Sequence, residues 1–563
     1  MRKLGVCLVT AMTAVTGVAL VASTPASAAP VATAESATTS TATEYIVLQD
    51  ANTGVSAART AVEKAGGTVV SENTALGYVV ARSNKAAFQT TVNADTSVVG
   101  AAANRVIGQA PQEQQASQSQ VEKLREATAS AAKTSKGSKS AEPLAGLQWD
   151  MQQIDATAKG SYAKQTGSKK VLVGIIDTGV DGSHPDIAPN FSSKLSRNFV
   201  TDMPDIDGEC EYADCKDPAD EDGDGHGTHV ASTIGSPING IGIAGVAPNV
   251  TLVNIRAGQD SGYFFLEPTL DALTYAGDIG VDVVNMSYYV DPWLFNCVSN
   301  PADSAAEQRE QQIIRTATQR ALNYARNKGV LPVSAEGNES TDLNNPTVDD
   351  TSPDYPADAA KTRQIDNSCI NVPAESKGVL TVSSTGPSKR KAYYSNYGTQ
   401  ETDVAAPGGD AYDSADNRLN YASMILAAYP EALAKLNGDI DEAGEPTTTA
   451  VLKSCKGKVC GYYQYLQGTS MASPHATGVA ALVVSEYGKK DKSGLGLDPA
   501  KTEAKVLKSA TETACPNPRT YHYTIIRSSG TTELDATCEG PKSDNGFYGH
   551  GIIDAKAAVT GKL

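Results

Sequence analysis

Basic charge is what this sequence has little of: 47 Lys and Arg stand against 64 Asp and Glu, a formal net charge of −17 at pH 7. A general nucleic-acid binder meets phosphates with a basic stripe, so DNA and RNA are poor partners for this chain. The deficit is local. Residues 29–143 balance ten basic against ten acidic side chains, and the excess of acid, about −19, lies from 144 onward. Long apolar runs are missing after the first, Leu4–Ala22, so no membrane segment is expected in the rest of the chain. Cysteine never occurs as C-x2-C or with histidine close by, which argues against zinc.

The first run follows Met1-Arg2-Lys3 and ends in Ser23-Thr24-Pro25-Ala26-Ser27-Ala28, a charged segment, an apolar segment and an A-x-A site in the order of a cleaved secretory signal. Residues 1–28 are therefore expected to be removed, and the product to be secreted and extracellular. Of the 9 cysteines, Cys7 leaves with the signal and an even number remains for disulfides. Cys210/Cys215 and Cys455/Cys460 share one spacing and would each close a short loop. Order alone would pair the others as Cys297–Cys369 and Cys515–Cys538, one among the 105 pairings that eight cysteines allow.

At 563 residues the chain is too long for one ordinary domain. In the segment 29–108, apolar strands at 45–48, 68–70, 78–80 and 98–99 alternate with helix-like stretches at 57–65 and 84–92, the β-α-β-β-α-β order of a small ferredoxin-like α+β unit. Residues 109–143 lose all aromatics and fill with Gln, Ser, Ala and Lys, a linker composition that suits a maturation cut. From 144 to 563, strands near 171–177, 250–256, 281–287, 330–335, 379–384 and 402–406 alternate with helices at 226–235, 267–278, 302–328, 470–487, 499–510 and 552–559. Such alternation makes an α/β parallel sheet with helices on both faces. Reactive residues then belong at strand C-terminal ends and helix N-termini.

Four motifs fall on those edges. Val171–Ile176 ends in Asp177-Thr178-Gly179, a carboxylate beyond a buried strand, or an Asp that caps a turn. Gly225-His226-Gly227-Thr228-His229 opens a helix; two His three apart would make a metal pair, but zincins space them four apart with Glu between. Leu331–Ala335 leads to Glu336-Gly337-Asn338, which brings a side-chain amide or a turn Asn. Gly468-Thr469-Ser470-Met471-Ala472-Ser473-Pro474 starts an apolar helix with a Ser where unpaired N–H groups favour an oxyanion, or where a Ser is simply an N-cap.

The order Asp177, His226, Asn338, Ser470 within these motifs resembles the subtilisin-like serine proteases. The resemblance extends to Thr43–Gly108, similar to the family's inhibitor-type propeptide, and to Tyr548–Ala555. It implies a self-processing secreted serine endopeptidase in which Ser470 attacks, His226 moves the proton, Asp177 orients the imidazole and Asn338 holds the oxyanion. Its partners would be polypeptide substrates and its own propeptide, and it would act as a monomer with no cofactor required for chemistry. Substrate is expected as an extended strand beside Ser261-Gly262-Tyr263 and Ser287-Tyr288-Tyr289. Tyr289 stands where the family usually has Gly, and Glu336 where it has a small apolar residue; Glu336 either favours a basic side chain before the scissile bond or points away into a hydrogen-bond network. Structural calcium is expected at Asp186 and Asn239, with Ala145 where the family's N-terminal Gln ligand would be. The acidic loop of Asp217, Asp220, Asp222 and Asp224 is either a second ion site or solvated charge. The same fold would also suit a tripeptide-releasing exopeptidase, with the insertion between Asn338 and Ser470 blocking one end of the cleft, or an inactive secreted binding protein.

Overall fold

The computed structural model describes residues 42–104, 142–490 and 494–563. The expected signal and all but the last two residues of the expected 109–143 linker lie outside them. Residues 42 onward belong to one unit, and among the described residues no helix is long and apolar enough to cross a membrane.

The N-terminal module runs β1 (Thr43–Gln49), α1 (Val55–Ala65), β2 (Thr68–Asn73), β3 (Tyr78–Ser83), α2 (Phe88–Asn93) and β4 (Val98–Asn104). Its antiparallel sheet has the order β2-β3-β1-β4. Side chains alternate across a strand, and here both faces are buried. Val47 and Val79 join α1 and α2 in the module's own core, while Ile46, Leu48, Tyr78 and Val80 pack on the large domain.

In the large domain come β5 (Leu172–Ile176), β6 (Arg197–Asn198), α3 (His226–Gly235), β7 (Thr251–Arg256), α4 (Leu266–Ile279), β8 (Val283–Met286), α5 (Ala305–Asn327), β9 (Leu331–Ala335), β10 (Leu380–Thr385) and β11 (Val404–Pro407). The strands form one parallel sheet, ordered β11-β10-β9-β8-β5-β7-β6. Every residue of β5 is buried, as a central parallel strand covered on both faces requires. Val173 and Ile175 enter the core shared with α3 and with α6 (Thr469–Tyr487); Leu172 and Ile176 enter the core shared with α4 and α5. The strong α5 start comes from a capping box, Ser304 with Glu307.

Two regions were not anticipated. The insertion before Ser470 forms a sheet of β12 (Ile425–Tyr429), β13 (Val451–Lys456) and β14 (Val459–Leu466), ordered β12-β14-β13. After α7 (Pro499–Ser509), β15 (Thr520–Arg527) and β16 (Gly530–Thr537) make a hairpin. The expected helix at 552–559 shrinks to Ala555–Ala558. All four expected disulfides are present.

Candidate active site

Strand register brings the motifs together. Ile176 of β5 lies opposite Met286 of β8, so Asp177 and Ser287 leave neighbouring strands side by side, about 5 Å apart in the ladder direction. Met286 lies opposite Ser334 of β9, which sends Glu336-Gly337-Asn338 off the same edge. Pro474 explains how α6 is drawn in. Having no N–H, it cannot close the helical bond to the carbonyl of Ser470 four residues earlier. That carbonyl instead accepts the Ser287 hydroxyl at 3.0 Å. The Ser470 hydroxyl in turn donates to the Ser287 carbonyl at 3.3 Å.

His226 Nδ1 lies 2.7 Å from Asp177 Oδ1, and both residues are buried. The approach needs Gly227: a Cβ there would sit 2.1 Å from the Gly179 carbonyl oxygen. Asp177 Oδ1 also accepts the Thr178 N–H at 2.8 Å. Burial alone would lower the His226 pKa, but the charge and hydrogen bond of Asp177 outweigh it and hold the imidazole above its usual value. The first turn of α3 is anchored by Asp222, which accepts the Thr228 N–H and hydroxyl at 2.8 and 2.6 Å and the Gly225 N–H at 2.9 Å. His229 is not a metal partner for His226. Its Nε2 faces the Ile425 carbonyl at 3.1 Å, and burial first, then the His226 charge, push its pKa down to about 3.

Asn338 is fixed by its oxygen, which accepts the Thr469 N–H and hydroxyl, each at 2.9 Å. The Gly337 N–H donates to the same hydroxyl at 3.0 Å. Asn396, which the sequence does not single out, braces the loop by accepting from Glu339 and Thr341 N–H at 3.1 and 2.8 Å. Glu336 points inward: fully buried, it accepts the Thr402 hydroxyl at 2.5 Å and feels the charge of buried Lys391. Of its two readings, the hydrogen-bond network is the one this geometry supports. Burial pushes the Glu336 carboxyl well up and the Lys391 ammonium down to about 7.

Of the expected substrate-side residues, Ser261 is buried, Gly262 half-buried, and Ser287 spent on Ser470. Tyr289 is half-buried and donates its hydroxyl to Asp354. Tyr288 is buried and stacks on Phe264 with ring centroids 4.1 Å apart.

The residues expected to hold calcium do meet, but as partners of each other. Asp186 accepts from the Asn239 side-chain NH2 at 2.8 Å, the Tyr463 hydroxyl at 2.7 Å and the Ile243 N–H at 3.1 Å. The amide orientation is forced, because its nitrogen also meets the Pro185 carbonyl and its oxygen accepts the Ile241 N–H. Asn239 thus turns a donor, not an oxygen, toward Asp186, and the set does not fit a cation there. Burial pushes the Asp186 carboxyl up to about 7. In the acidic loop, Asp217 pairs with Arg256 at 2.5 Å, and the guanidinium also holds Asp202 and Asp260 at 3.1 and 3.0 Å. Among the described residues, Asp202, Glu211, Asp217 and Asp260 are the one acidic group compact enough to suit an ion, and three of its carboxylates already hold that protein cation.

The Subtilase family's sequence profile matches residues 168–551. The chain belongs to the subtilase family. It is 28% identical over 340 residues to thermitase of Thermoactinomyces vulgaris, spanning 60% of this chain and 82% of thermitase. It is 28% identical to subtilisin DY of Bacillus licheniformis over 56% of this chain and 77% of that one. In fold it is similar to the epidermin leader peptide processing serine protease of Staphylococcus aureus, with TM-score 0.61, 21% identity and coverage of 93% and 100% of the two chains. The subtilase is accordingly a serine-type peptidase acting on polypeptides, on an α/β parallel-sheet fold.

Proposed function

We propose that this subtilase is a secreted, self-processing endopeptidase whose triad is Asp177, His226 and Ser470 and whose oxyanion hole is Asn338 with the Ser470 N–H. The observation that carries it is the 2.7 Å contact of His226 with Asp177 on strand ends next to the Ser287–Ser470 pair. Ser470 Oγ attacks the peptide carbonyl carbon while its proton passes to His226 Nε2. The new negative charge falls to the Asn338 amide and to the N–H at the second position of α6, which has no place in the helical ladder. His226 then protonates the departing amine, the C–N bond breaks, and water repeats the sequence on the acyl-enzyme. Asp177 balances the imidazolium at each stage. The 3.3 Å contact of Ser470 with Ser287 is at the weak end of its class, so little opposes the turn toward His226.

The module of residues 42–104 acts as the inhibitory propeptide. It lies on α4 and α5: Asn73 donates to Asp271 at 3.1 Å, and Arg309 and Arg320 donate to the Val99 and Gln49 carbonyls, each at 3.0 Å. The maturation cut falls before Glu142. That residue is buried and accepts the Gly240 N–H with both oxygens at 3.0 and 2.8 Å, which ties the new N-terminus to the large domain. Ser470→Ala should abolish casein hydrolysis and leave the precursor uncut, and normal cleavage would end the assignment.

The exopeptidase reading keeps one observation in its favour. The insertion packs next to the start of α3, since a Cβ on Gly225 would meet Leu433 at 3.1 Å. Mass spectrometry of products from one long peptide separates internal cuts from tripeptides.

A further inference from the structure

The hairpin of β13 and β14, inside the insertion before Ser470, turns through the disulfide loop Cys455–Cys460. Where it lands is informative. Lys456, within that loop, donates from Nζ to the Asn239 carbonyl at 2.6 Å. Ser454 Oγ accepts the Gly242 N–H at 3.0 Å, and the Tyr463 hydroxyl donates to Asp186 at 2.7 Å. From the other side Glu142 accepts the Gly240 N–H. The loop of residues 239–243, Asp186 and the N-terminal end of the large domain are thus joined at the position where the family resemblance implies calcium.

We propose that the chain supplies its own cation there: the Lys456 ammonium, delivered by the stapled hairpin, makes the cross-link with Tyr463 and the Asn239 amide, and no calcium binds at Asp186. Calcium needs six to eight oxygens turned inward. Here the Asn239 carbonyl is taken by the ammonium, its side-chain oxygen by Ile241, and the carboxylate of Asp186 by three donors. An ion would also have to sit near the like charge of the Lys456 ammonium. A lysine brings one positive charge and three donors on its own stem, so the link survives chelation and dilution, which a bound ion does not. This also gives the inserted hairpin a role that is independent of the catalytic assignment.

The test uses the full chain carrying Ser470→Ala, so that no self-cleavage disturbs melting. Thermal midpoints are measured in EDTA and in calcium, with bound calcium counted by equilibrium dialysis of the radioactive ion. Asp186→Asn is expected to change neither the calcium count nor the calcium-induced shift, because any ion bound elsewhere survives it. Lys456→Ala is expected to lower the midpoint equally in both media. A bound calcium lost on Asp186→Asn, or a Lys456→Ala chain that melts with its parent in EDTA, overturns the proposal. If Asp186→Asn does not fold, Asn239→Ala takes its place and is read the same way.

Discussion

His226 with Asp177 and His475 with Asp150 are both buried histidine–carboxylate pairs, at 2.7 and 3.0 Å. They differ in the second ring nitrogen. His475 faces Asp150 with Nε2 and the Met471 carbonyl with Nδ1 at 2.8 Å, and it is 0% exposed. Both nitrogens are committed, so the ring fastens the N-terminal segment to α6 and has nothing left to move. His226 spends Nδ1 alone on protein among the described residues and retains 5% exposure at the sheet edge. A proton shuttle needs one nitrogen held and one spare, and only the first pair meets that condition.

The largest way to break this contrast is to exchange the phenotypes. His226→Ala and Ser470→Ala should each lower kcat by about 10⁶, a value carried over from a subtilisin; thermal unfolding should change little for Ser470→Ala, while His226→Ala also strands the buried Asp177 carboxylate and should destabilise the fold. Removing His475 as Ala should likewise leave Asp150 buried and unpaired, at about 3–5 kcal/mol of stability, while kcat per folded molecule stays within a few-fold. Active-site titration combined with urea unfolding reads both quantities. A His475→Ala enzyme that is stable but inactive would erase the distinction.

Asn338→Ala tests whether the edge also supplies electrophilic help. A loss of about 10²–10³ in kcat with little change in KM is expected, again a subtilisin's value carried across. Asn396→Ala should act through the same loop with a smaller loss, since it touches Glu339 and Thr341 rather than the reacting atoms. Equal losses would make Asn396 more than a brace.

Protonation sharpens the pair further. A general base works only when neutral, and Asp177 holds His226 above the usual imidazole value against the opposing effect of burial. The acid limb of kcat/KM should therefore lie above about 6.5, and the residual activity of Asp177→Asn should show a limb at lower pH.

The legible parts of the sequence were those where one local pattern decides the outcome. β5 is apolar throughout and can only be a covered strand, and Asp177, His226, Asn338 and Ser470 all sit at element ends where backbone turns leave a signature. For Glu336 the sequence gives the right edge but leaves two directions open, because its direction depends on Thr402 and Lys391, 66 and 55 positions away. Asn396 and Asp222 brace the site through contacts that no spacing announces. β13 mixes charge with apolar residues because one of its faces meets loop 239–243, so neither a helical nor a strand period stands out. The calcium expectation failed to fit for the same reason: Asp186 and Asn239 look alike in sequence whether an ion or a lysine from residue 456 completes the cluster.

The smallest effect concerns a half-buried acid with no histidine at all. Glu267 on α4 meets Asn104 of the N-terminal module, and burial first, then Glu44 and Asp271, push its carboxyl up to about 7, with Arg82 opposing. Its ordinary value is near 4.5. A raised carboxyl binds its proton more tightly in the packed state, so its contribution is complete below about 4.5 and is lost as pH rises through about 7. The intact Ser470→Ala precursor should therefore lose stability across that window relative to Glu267→Gln, by on the order of 2 °C in thermal midpoint. Glu267→Gln should flatten this part of the profile and leave the rest unchanged. Parallel profiles would mean that Glu267 is relieved by solvent, and that a half-buried carboxylate here, unlike the buried Asp177 and Asp150, needs no partner.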